Sequence, residues 1–357
     1  MPMEHGFVGR VPVRNLWLLM LYASDLYRTI GTRNIGIEQN PDDLPNLVAE
    51  ILARAVESRL RRRLTHGYRH RQMNLRRVRG RIDILATQRR QLLDLGMVAC
   101  RFNELSIDTP RNRFVRAALE KIIKLVGPEL AHRCRVLAVD MKESGVSGEP
   151  PTWSAMSADR LASHDAGDAH MIAAARLAFD LVLPTESAGA LRLPVPEREE
   201  VWMRKLFERA VGGFYDVRLS PLGWRVRRKT RWSWPIEQKT SGIDAILQGM
   251  ETDVVLDHAG SGRRIVIDTK FNGIVAKGRY REWVLRSGYV FQIYAYLRTQ
   301  VGLGDALADR ASGLLLHPSI GSTVTESVKI QGHAITFATV DLAGSAGEIA
   351  ARLTALT

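Results

Sequence analysis

Features that would place this chain in several common protein classes are scarce or absent. Only two cysteines, Cys100 and Cys134, occur among 357 residues, and their separation fits no zinc-binding motif. We expect both to be reduced and buried. No segment approaches the ~18 apolar residues of a membrane span. The apolar stretch at residues 17–23 is too short for a secretory signal. These absences favour a cytoplasmic protein that is not embedded in a membrane.

Acidic residues are also in the minority. The sequence has 38 aspartates and glutamates against 51 lysines and arginines, which gives a formal net charge of +13. A polyanionic partner is the simplest explanation, and nucleic acid is the most common one. The alternative is a basic surface that serves only solubility. A further absence concerns nucleotides: no G-x-x-x-x-G-K-[ST] segment occurs, so the sequence lacks a P-loop.

Two segments, residues 250–256 and 264–270, predict neighbouring buried strands that are joined by a turn. Each carries a carboxylate, Asp253 or Asp268, and Lys270 follows two residues after Asp268, on the same face of the strand. Two carboxylates suit Mg²⁺, with Mn²⁺ as an alternative. A neighbouring ammonium can orient or deprotonate the attacking water. The pattern is typical of the D…(D/E)xK site of metal-dependent nucleases.

A D-x-K triplet can also be a solvated ion pair at the end of a hairpin, so its surroundings decide between the two readings. The preceding residues, 265–267, are too apolar for an exposed edge strand. Residues 287–297 predict an amphipathic helix that places Gln292 and Tyr296 one turn apart on one face. The acids are also surrounded in sequence by basic residues, as contact with DNA phosphates requires. These are Arg264, Lys270, Lys277, Arg279, Arg281 and Arg286.

The remaining pattern indicates alternating helical and extended blocks. The sequence predicts helices at 14–30, 46–64, 112–125, 170–183, 197–217, 287–297 and 345–355. It predicts strands within 67–85, 225–231, 250–256, 264–270, 313–317 and 334–337. The segment from 143 to 168 is rich in turn-forming residues and predicts a loop, whereas prolines between 184 and 196 predict a domain boundary.

The order of five motifs resembles that of the McrC family, the nuclease subunits of McrBC modification-dependent restriction systems. The motifs are the opening segment 11–23, Arg-Gly-Arg-Ile at 79–82, Asn-Glu…Asp-Thr…Asn-Arg between 103 and 113, the nuclease core at 250–253 with 267–270, and the helix at 292–297. Together they extend over most of the chain. One departure is Thr252, which stands where relatives often have a proline.

The resemblance implies a role for each site residue. Asp253 and Asp268 match the family's metal-binding acids, and Lys270 matches its active-site lysine. Gln292 and Tyr296 resemble a Gln-x-x-x-Tyr pair that lies at the DNA-binding face of RecB-type nucleases. Glu208 is similar to a helical acid found in many members of the PD-(D/E)xK superfamily.

The fold class implied by the resemblance is α+β or α/β. Residues 1–190 would form an α-rich N-terminal domain with a small β element, which docks on an AAA+ motor. Residues 195–357 would form a PD-(D/E)xK nuclease domain, in which helices flank a mixed central sheet. The arginine-rich stretch 54–90 could contact DNA phosphates, an acidic protein surface or water, and we expect Arg79 and Arg81 to be structural.

The implied function is Mg²⁺-dependent cleavage of double-stranded, modified DNA, with 5-methylcytosine as the family's modification. The implied partner is an McrB-like AAA+ GTPase ring that the chain stimulates, and dimerisation would allow both DNA strands to be cut. The missing P-loop agrees with a motor on a separate chain. Two alternatives stay open: a stand-alone nuclease in DNA repair or another defence system, and a non-catalytic adaptor that regulates the motor.

Overall fold

A computed structural model describes residues 7–8, 11–30, 41–159, 166–189, 196–277, 280–320 and 323–357. The chain forms two compact units, one of Pro45–Val182 and the other of Met1–Leu44 together with Leu183–Thr357. The predicted division into residues 1–190 and 195–357 did not include the division between Leu44 and Pro45, which groups residues 11–30 with the C-terminal half of the chain.

The elements are numbered in chain order over the described residues. The helices are α1 (Val13–Ala23), α2 (Asp25–Ile30), α3 (Leu44–Arg62), α4 (Ile84–Arg89), α5 (Pro110–Ile122), α6 (Pro128–Glu143), α7 (Trp153–Ala158), α8 (Ala166–Gly189), α9 (Pro196–Leu219), α10 (Ser287–Arg298), α11 (Ala306–Asp309) and α12 (Ala346–Ala355). The strands are β1 (Phe7–Val8), β2 (Val11–Pro12), β3 (Gly67–Leu75), β4 (Arg81–Ile82), β5 (Val98–Ser106), β6 (Arg225–Trp232), β7 (Met250–His258), β8 (Arg263–Thr269), β9 (Val275–Lys277), β10 (Trp283–Leu285), β11 (Ser312–Ser319), β12 (Thr325–Ile330) and β13 (His333–Asp341).

Most predicted elements are present with ends shifted by a few residues. The helix predicted over 14–30 is interrupted at Ser24, whose backbone is extended. Its hydroxyl accepts a hydrogen bond from the backbone N–H of Tyr27 at 3.1 Å, so a new helix starts there. The predicted loop at 143–168 contains the short helix α7, and its residues 160–165 lie outside the described part of the chain. Over the residues that the structure describes, no helix has both the length and the apolar character needed to cross a bilayer.

The larger unit is built on a six-stranded mixed sheet with the strand order β12-β13-β11-β8-β7-β6. Strands β6, β7 and β8 are antiparallel neighbours, whereas β11 runs parallel to both β8 and β13. Helix α10 packs on this sheet through a buried apolar cluster. The cluster consists of Met250, Val266, Ile274, Ile293, Tyr296, Leu297, Ala311, Leu315, Ile335 and Phe337. A buried β8 explains its continuous run of apolar residues.

Helix α1 belongs to this unit because it is buried on nearly every side. A Cβ atom on Gly213 of α9 would lie 1.8 Å from the carbonyl oxygen of Tyr22, so the two helices can approach this closely only at a glycine. The Asn15 amide donates hydrogen bonds to the carbonyl oxygens of Leu342 and Gly344, at 2.7 and 2.9 Å. Such contacts join residues more than 300 positions apart, which local sequence patterns do not reveal.

The smaller unit combines helices with a three-stranded sheet of order β3-β5-β4. Gly80, in the Arg-Gly-Arg-Ile motif, has a φ of +71°, and a Cβ atom there would lie 2.5 Å from the carbonyl oxygen of Arg101. The Arg79 guanidinium lies 4.2 Å from the centroid of the Phe102 ring. The structure therefore gives this motif a role in shaping the sheet, in agreement with the expectation for Arg79.

The second family-like motif in this unit also has a structural role. The Thr109 hydroxyl caps α5 by accepting the backbone N–H of Asn112. The buried Asn112 side chain donates to the carbonyl oxygens of Thr65 and Ile107, at 3.0 and 2.8 Å. These bonds hold the strand ends and the start of the helix together.

Candidate active site

The two predicted metal-binding acids lie together where β7 and β8 meet. Val254 pairs with Ile267 in the antiparallel register, and Asp253 and Asp268 are the next residues along the two strands. Asp253 is partly exposed, whereas only 2% of Asp268 is accessible. Oδ2 of Asp253 accepts the backbone N–H and the hydroxyl of Thr269, at 2.7 and 2.6 Å.

Lys270 follows the last residue of β8, and its backbone N–H continues the sheet by donating to the carbonyl oxygen of Leu316 at 3.0 Å. Its ammonium nitrogen lies 2.7 Å from Oδ2 of Asp268. The predicted neighbours Asp268 and Lys270 thus form an ion pair at the end of a buried strand.

The electrostatic environment raises the pKa of two acids. Burial raises the pKa of Asp268 to about 6; the ammonium of Lys270 opposes this shift, and the negative charges of Asp253 and Glu208 add to it. Burial, followed by the charge of Asp253, also raises the pKa of Glu208, which lies on α9. Oε1 of Glu208 is 3.5 Å from the Lys229 ammonium nitrogen. The helical acid is therefore within electrostatic reach of both strand acids.

The Gln292–Tyr296 pair is also formed, but the tyrosine is largely part of the core. Nε2 of Gln292 donates to the Tyr296 hydroxyl at 2.6 Å, and that hydroxyl donates to the carbonyl oxygen of Glu251 at 2.8 Å. Burial raises the pKa of Tyr296, and the charges of Asp268 and Asp253 add to the shift. The pair consequently ties α10 to β7 beside the acids.

Arg264 does not belong to the basic surroundings of the site. It is buried and donates twice to Asp257, at 2.6 and 3.2 Å, and once to Asp305, at 2.7 Å. Its register partner on β7 is Asp257, four residues beyond Asp253, so Arg264 stabilises the other end of the strand pair. Sequence proximity was misleading here because β8 is long enough to separate its two ends.

The other described basic residues of the predicted set, which follow Lys270 in sequence, are exposed. Lys277, Arg281 and Arg286 are exposed near the β9–β10 hairpin, and none of them forms an ion pair with another described residue. Arg279 lies outside the described residues. The structure thus retains a set of solvent-facing cations after the site lysine.

Three residues near Lys270 were missed by the sequence analysis. The ring centroid of Tyr289 lies 5.1 Å from the Lys270 ammonium nitrogen, and the Tyr289 hydroxyl accepts a hydrogen bond from the Asn272 side chain at 2.6 Å. The carbonyl oxygen of Asn272 is 2.8 Å from Nδ1 of His317, which is fully buried. Burial lowers the pKa of His317 to about 4. A lone histidine at the end of the apolar run 314–316 was the only local signal.

The acids at this site fit a divalent cation that is held by two carboxylates and by water, rather than one whose ligands all come from the protein. In the portion of the chain described by the structure, no group of three or more His, Cys, Asp or Glu side chains is arranged to hold a metal ion. Mg²⁺ commonly takes one or two protein carboxylates and keeps several waters. Asp253 and Asp268 can supply that number. A divalent cation would also offset the burial and mutual repulsion that disfavour the Asp268 anion.

Comparison with known proteins agrees with the motif pattern. A family model described as "McrBC 5-methylcytosine restriction system component" matches residues 6–152. The chain is 23% identical over 336 residues to the type IV methyl-directed restriction enzyme EcoKMcrBC of Escherichia coli (strain K12), covering 93% of each sequence.

Two solved assemblies are also similar. One is a half-complex of Thermococcus gammatolerans McrB AAA+ hexamers with bound McrC, with 15% identity, a TM-score of 0.43, and coverage of 97% of this chain and 76% of the other. The other is the McrBC complex of the same organism, with 13% identity, a TM-score of 0.32, and coverage of 52% and 62% respectively. The two sequence matches agree with the resemblance seen in the motifs: this chain is similar to components of McrBC 5-methylcytosine restriction systems.

Proposed function

We propose that this chain is the DNA endonuclease subunit of a modification-dependent restriction system and that its nuclease domain has the PD-(D/E)xK fold. The observation that carries the proposal is the ion pair of Lys270 with Asp268, 2.7 Å apart, at the end of the strand pair that also presents Asp253. An antiparallel β6–β7–β8 arrangement, a parallel neighbour β11 and the flanking helices α9 and α10 support the fold assignment.

The proposed chemistry is hydrolysis of a phosphodiester bond. Asp253 and Asp268 would hold Mg²⁺ or Mn²⁺, which when bound supplies a Lewis acid and a more acidic water. The Lys270 ammonium can donate a hydrogen bond to a phosphate oxygen or orient the attacking water. Glu208 adds negative charge close to the strand acids. Gln292 holds the Tyr296 hydroxyl beside the strand that carries Asp253.

The decisive experiment is cleavage of methylated duplex DNA by the full chain together with its AAA+ partner and Mg²⁺. Asp253→Ala and Asp268→Ala should each lower cleavage by at least about a hundredfold while the protein stays folded. Asp244→Ala is a matched control, because this exposed carboxylate pairs with Lys239 at the surface. Substantial cleavage by either strand-acid variant would refute the assignment.

Lys270→Ala separates a chemical role from simple charge attraction. If the ammonium acts at the phosphate or on the water, the maximal rate at saturating DNA should fall while DNA affinity is largely kept. If the lysine is only a surface cation, the loss should disappear at saturating DNA. An unchanged maximal rate would leave Lys270 without a chemical role.

We further propose an McrB-like AAA+ GTPase ring as the partner and the smaller unit as its docking region. The support is the family resemblance, the missing P-loop and the apolar surface on this unit. Tyr68 of β3 and Leu105 of β5 are direct cross-strand neighbours and are 81% and 58% exposed. Leu85 of α4 is 79% exposed. Exposed apolar side chains of this size are typical of protein interfaces.

The docking proposal can be tested in the full chain. Tyr68→Ser combined with Leu105→Ser should weaken capture of the AAA+ subunit and reduce stimulation of its GTP hydrolysis. Val136→Ser on α6 provides a control at another exposed apolar position of the same unit. Normal capture by the double variant would exclude this surface. Full cleavage activity without any AAA+ subunit would favour a stand-alone nuclease instead.

A further inference from the structure

A chain of polar contacts runs from the buried end of β11 to the site lysine. Nδ1 of His317 donates to the carbonyl oxygen of Asn272 at 2.8 Å, and the Asn272 amide donates to the Tyr289 hydroxyl at 2.6 Å. The Tyr289 ring then lies beside the Lys270 ammonium, with its centroid 5.1 Å away. The Tyr289 and His317 rings are themselves neighbours, with centroids 5.9 Å apart.

We propose that Tyr289 is a positioning residue for Lys270 and that Asn272 and His317 hold Tyr289 in place. The inference rests on the proposed nuclease function, because it assigns these residues to the placement of that reaction's lysine. None of the three is expected to touch the DNA or the reacting atoms.

Lys270 needs a positioning residue because of the properties of the lysine side chain. A lysine has a flexible four-carbon stem and a point charge that does not define an orientation by itself. Asp268 attracts the ammonium, but it is also one of the two acids proposed to hold the cation. The face of an aromatic ring supplies a second attraction that a metal does not compete for. In this proposal Tyr289 keeps the ammonium near the reacting phosphate when Asp268 holds the cation.

His317, Asn272 and Tyr289 come from three separate segments of the chain. His317 ends the apolar part of β11, Asn272 lies in the segment after β8, and Tyr289 is in the first turns of α10. The bond to the Asn272 carbonyl oxygen requires a proton on Nδ1 of His317 and defines its tautomer. Because His317 is fully buried, this bond is shielded from competition by water. The three residues thus connect the sheet, the lysine segment and the helix at one point.

The test compares Tyr289→Leu with Tyr289→Phe in the full chain with its AAA+ partner. Phenylalanine keeps the aromatic face and loses the hydroxyl, whereas leucine loses both. Tyr289→Leu should lower the rate at saturating DNA by about tenfold to a hundredfold with little change in KM. Tyr289→Phe should retain most of the rate. Thermal unfolding of each variant shows whether the fold is kept.

A second readout does not depend on cleavage. With ¹³C-labelled lysine, the ε-methylene protons of Lys270, assigned by their loss in Lys270→Arg, should show a ring-current shift. That shift should vanish in Tyr289→Leu and persist in Tyr289→Phe. Asn272→Ala removes the side-chain bond to Tyr289 but keeps the backbone oxygen that His317 uses, so a smaller loss of rate is expected. If Tyr289→Leu does not fold, Asn272→Ala tests the positioning role in its place.

The outcomes separate the two proposals. If Asp268→Ala is inactive but Tyr289→Leu and Asn272→Ala cleave at the wild-type rate, the positioning role is wrong and the nuclease assignment stands. If the ε-methylene shift is the same in Tyr289→Leu as in the wild type, the ring does not contact the lysine and the inference is overturned. If the strand-acid variants remain active, the proposed function itself fails.

Discussion

Thr269 donates both its backbone N–H and its hydroxyl to one carboxylate oxygen of Asp253, at 2.7 and 2.6 Å. The donor residue is the last residue of β8 and lies between Asp268 and Lys270, so three consecutive residues supply an acid, the residue that orients the opposite acid, and the lysine partner. Two donors on Oδ2 restrict rotation of the Asp253 carboxylate. Thr269 is thus a positioning residue for the proposed metal site.

Thr269→Val should reduce cleavage because the valine has nearly the same shape but lacks the hydroxyl donor. We expect a loss of about tenfold, together with a higher Mg²⁺ concentration for half-maximal activity. Thr269→Ser keeps the hydroxyl and should be close to wild type. The measurement is a Mg²⁺ titration of the cleavage rate for both variants. Equal behaviour of the valine and serine variants would show that the hydroxyl bond has no role in the site.

The exposed cations near the β9–β10 hairpin should contribute to DNA affinity. Lys277→Gln and Arg281→Gln should each reduce the slope of log affinity against log salt by about 0.9 if the residue contacts one phosphate. Lys239→Gln is the control, because Lys239 is equally a surface cation but pairs with Asp244 at 2.7 Å. Fluorescence anisotropy with duplex DNA, without Mg²⁺, measures the slopes. Unchanged slopes would place the phosphates away from this hairpin.

His317 should make stability depend on pH. Burial lowers its pKa to about 4 in the folded protein, below the ordinary value of about 6.5. Well above pH 6.5 the imidazole is neutral in both the folded and the unfolded state, so its titration does not reduce stability there. As the pH falls toward 4, the unfolded chain binds a proton that the folded one does not, so up to roughly 3 kcal/mol of stability is lost.

His317→Asn should remove this dependence while lowering stability at neutral pH. The measurement is chemical denaturation at several pH values between 4 and 7 for the wild type and the variant. A parallel decline of both curves over that interval would mean that other groups cause the dependence.

Alanine substitutions should have opposite effects on stability at Gly213, where α1 and α9 approach closely, and at Gly347, where the added carbon meets no other atom. Gly213→Ala should destabilise the protein by at least about 2 kcal/mol, because its Cβ would lie 1.8 Å from the Tyr22 carbonyl oxygen. Gly347→Ala, in the exposed first turn of α12, has no atom within 4 Å of the added carbon and should stabilise by up to about 1 kcal/mol. Denaturation midpoints of the two variants provide the comparison. A neutral Gly213→Ala would indicate that the two helices are not in this contact.

Much of the candidate site could be predicted from the sequence because its residues are local to a few elements. Asp268 and Lys270 are two positions apart at the end of one strand, and the apolar run before them predicts that this strand is buried. Gln292 and Tyr296 are one helical turn apart, so the helix alone brings them together. Alternation and helical periodicity are properties of the backbone, which is why they are visible without tertiary contacts.

Tertiary packing decided the rest. Pairing of β7 with β8 separates Arg264 from the acids that it approaches in sequence, and directs it to Asp257 instead. Packing of β11 and α10 against the end of β8 brings His317 and Tyr289 to the lysine segment. Asn15 joins the N-terminal segment to residues 342–344 near the other end of the chain. The sequence by itself determined which strands and helices form and which residues carry the proposed chemistry, because those depend on short-range pattern. Which buried polar groups support that chemistry, and to which unit helix α1 belongs, depended on hydrogen bonds and close packing between distant segments.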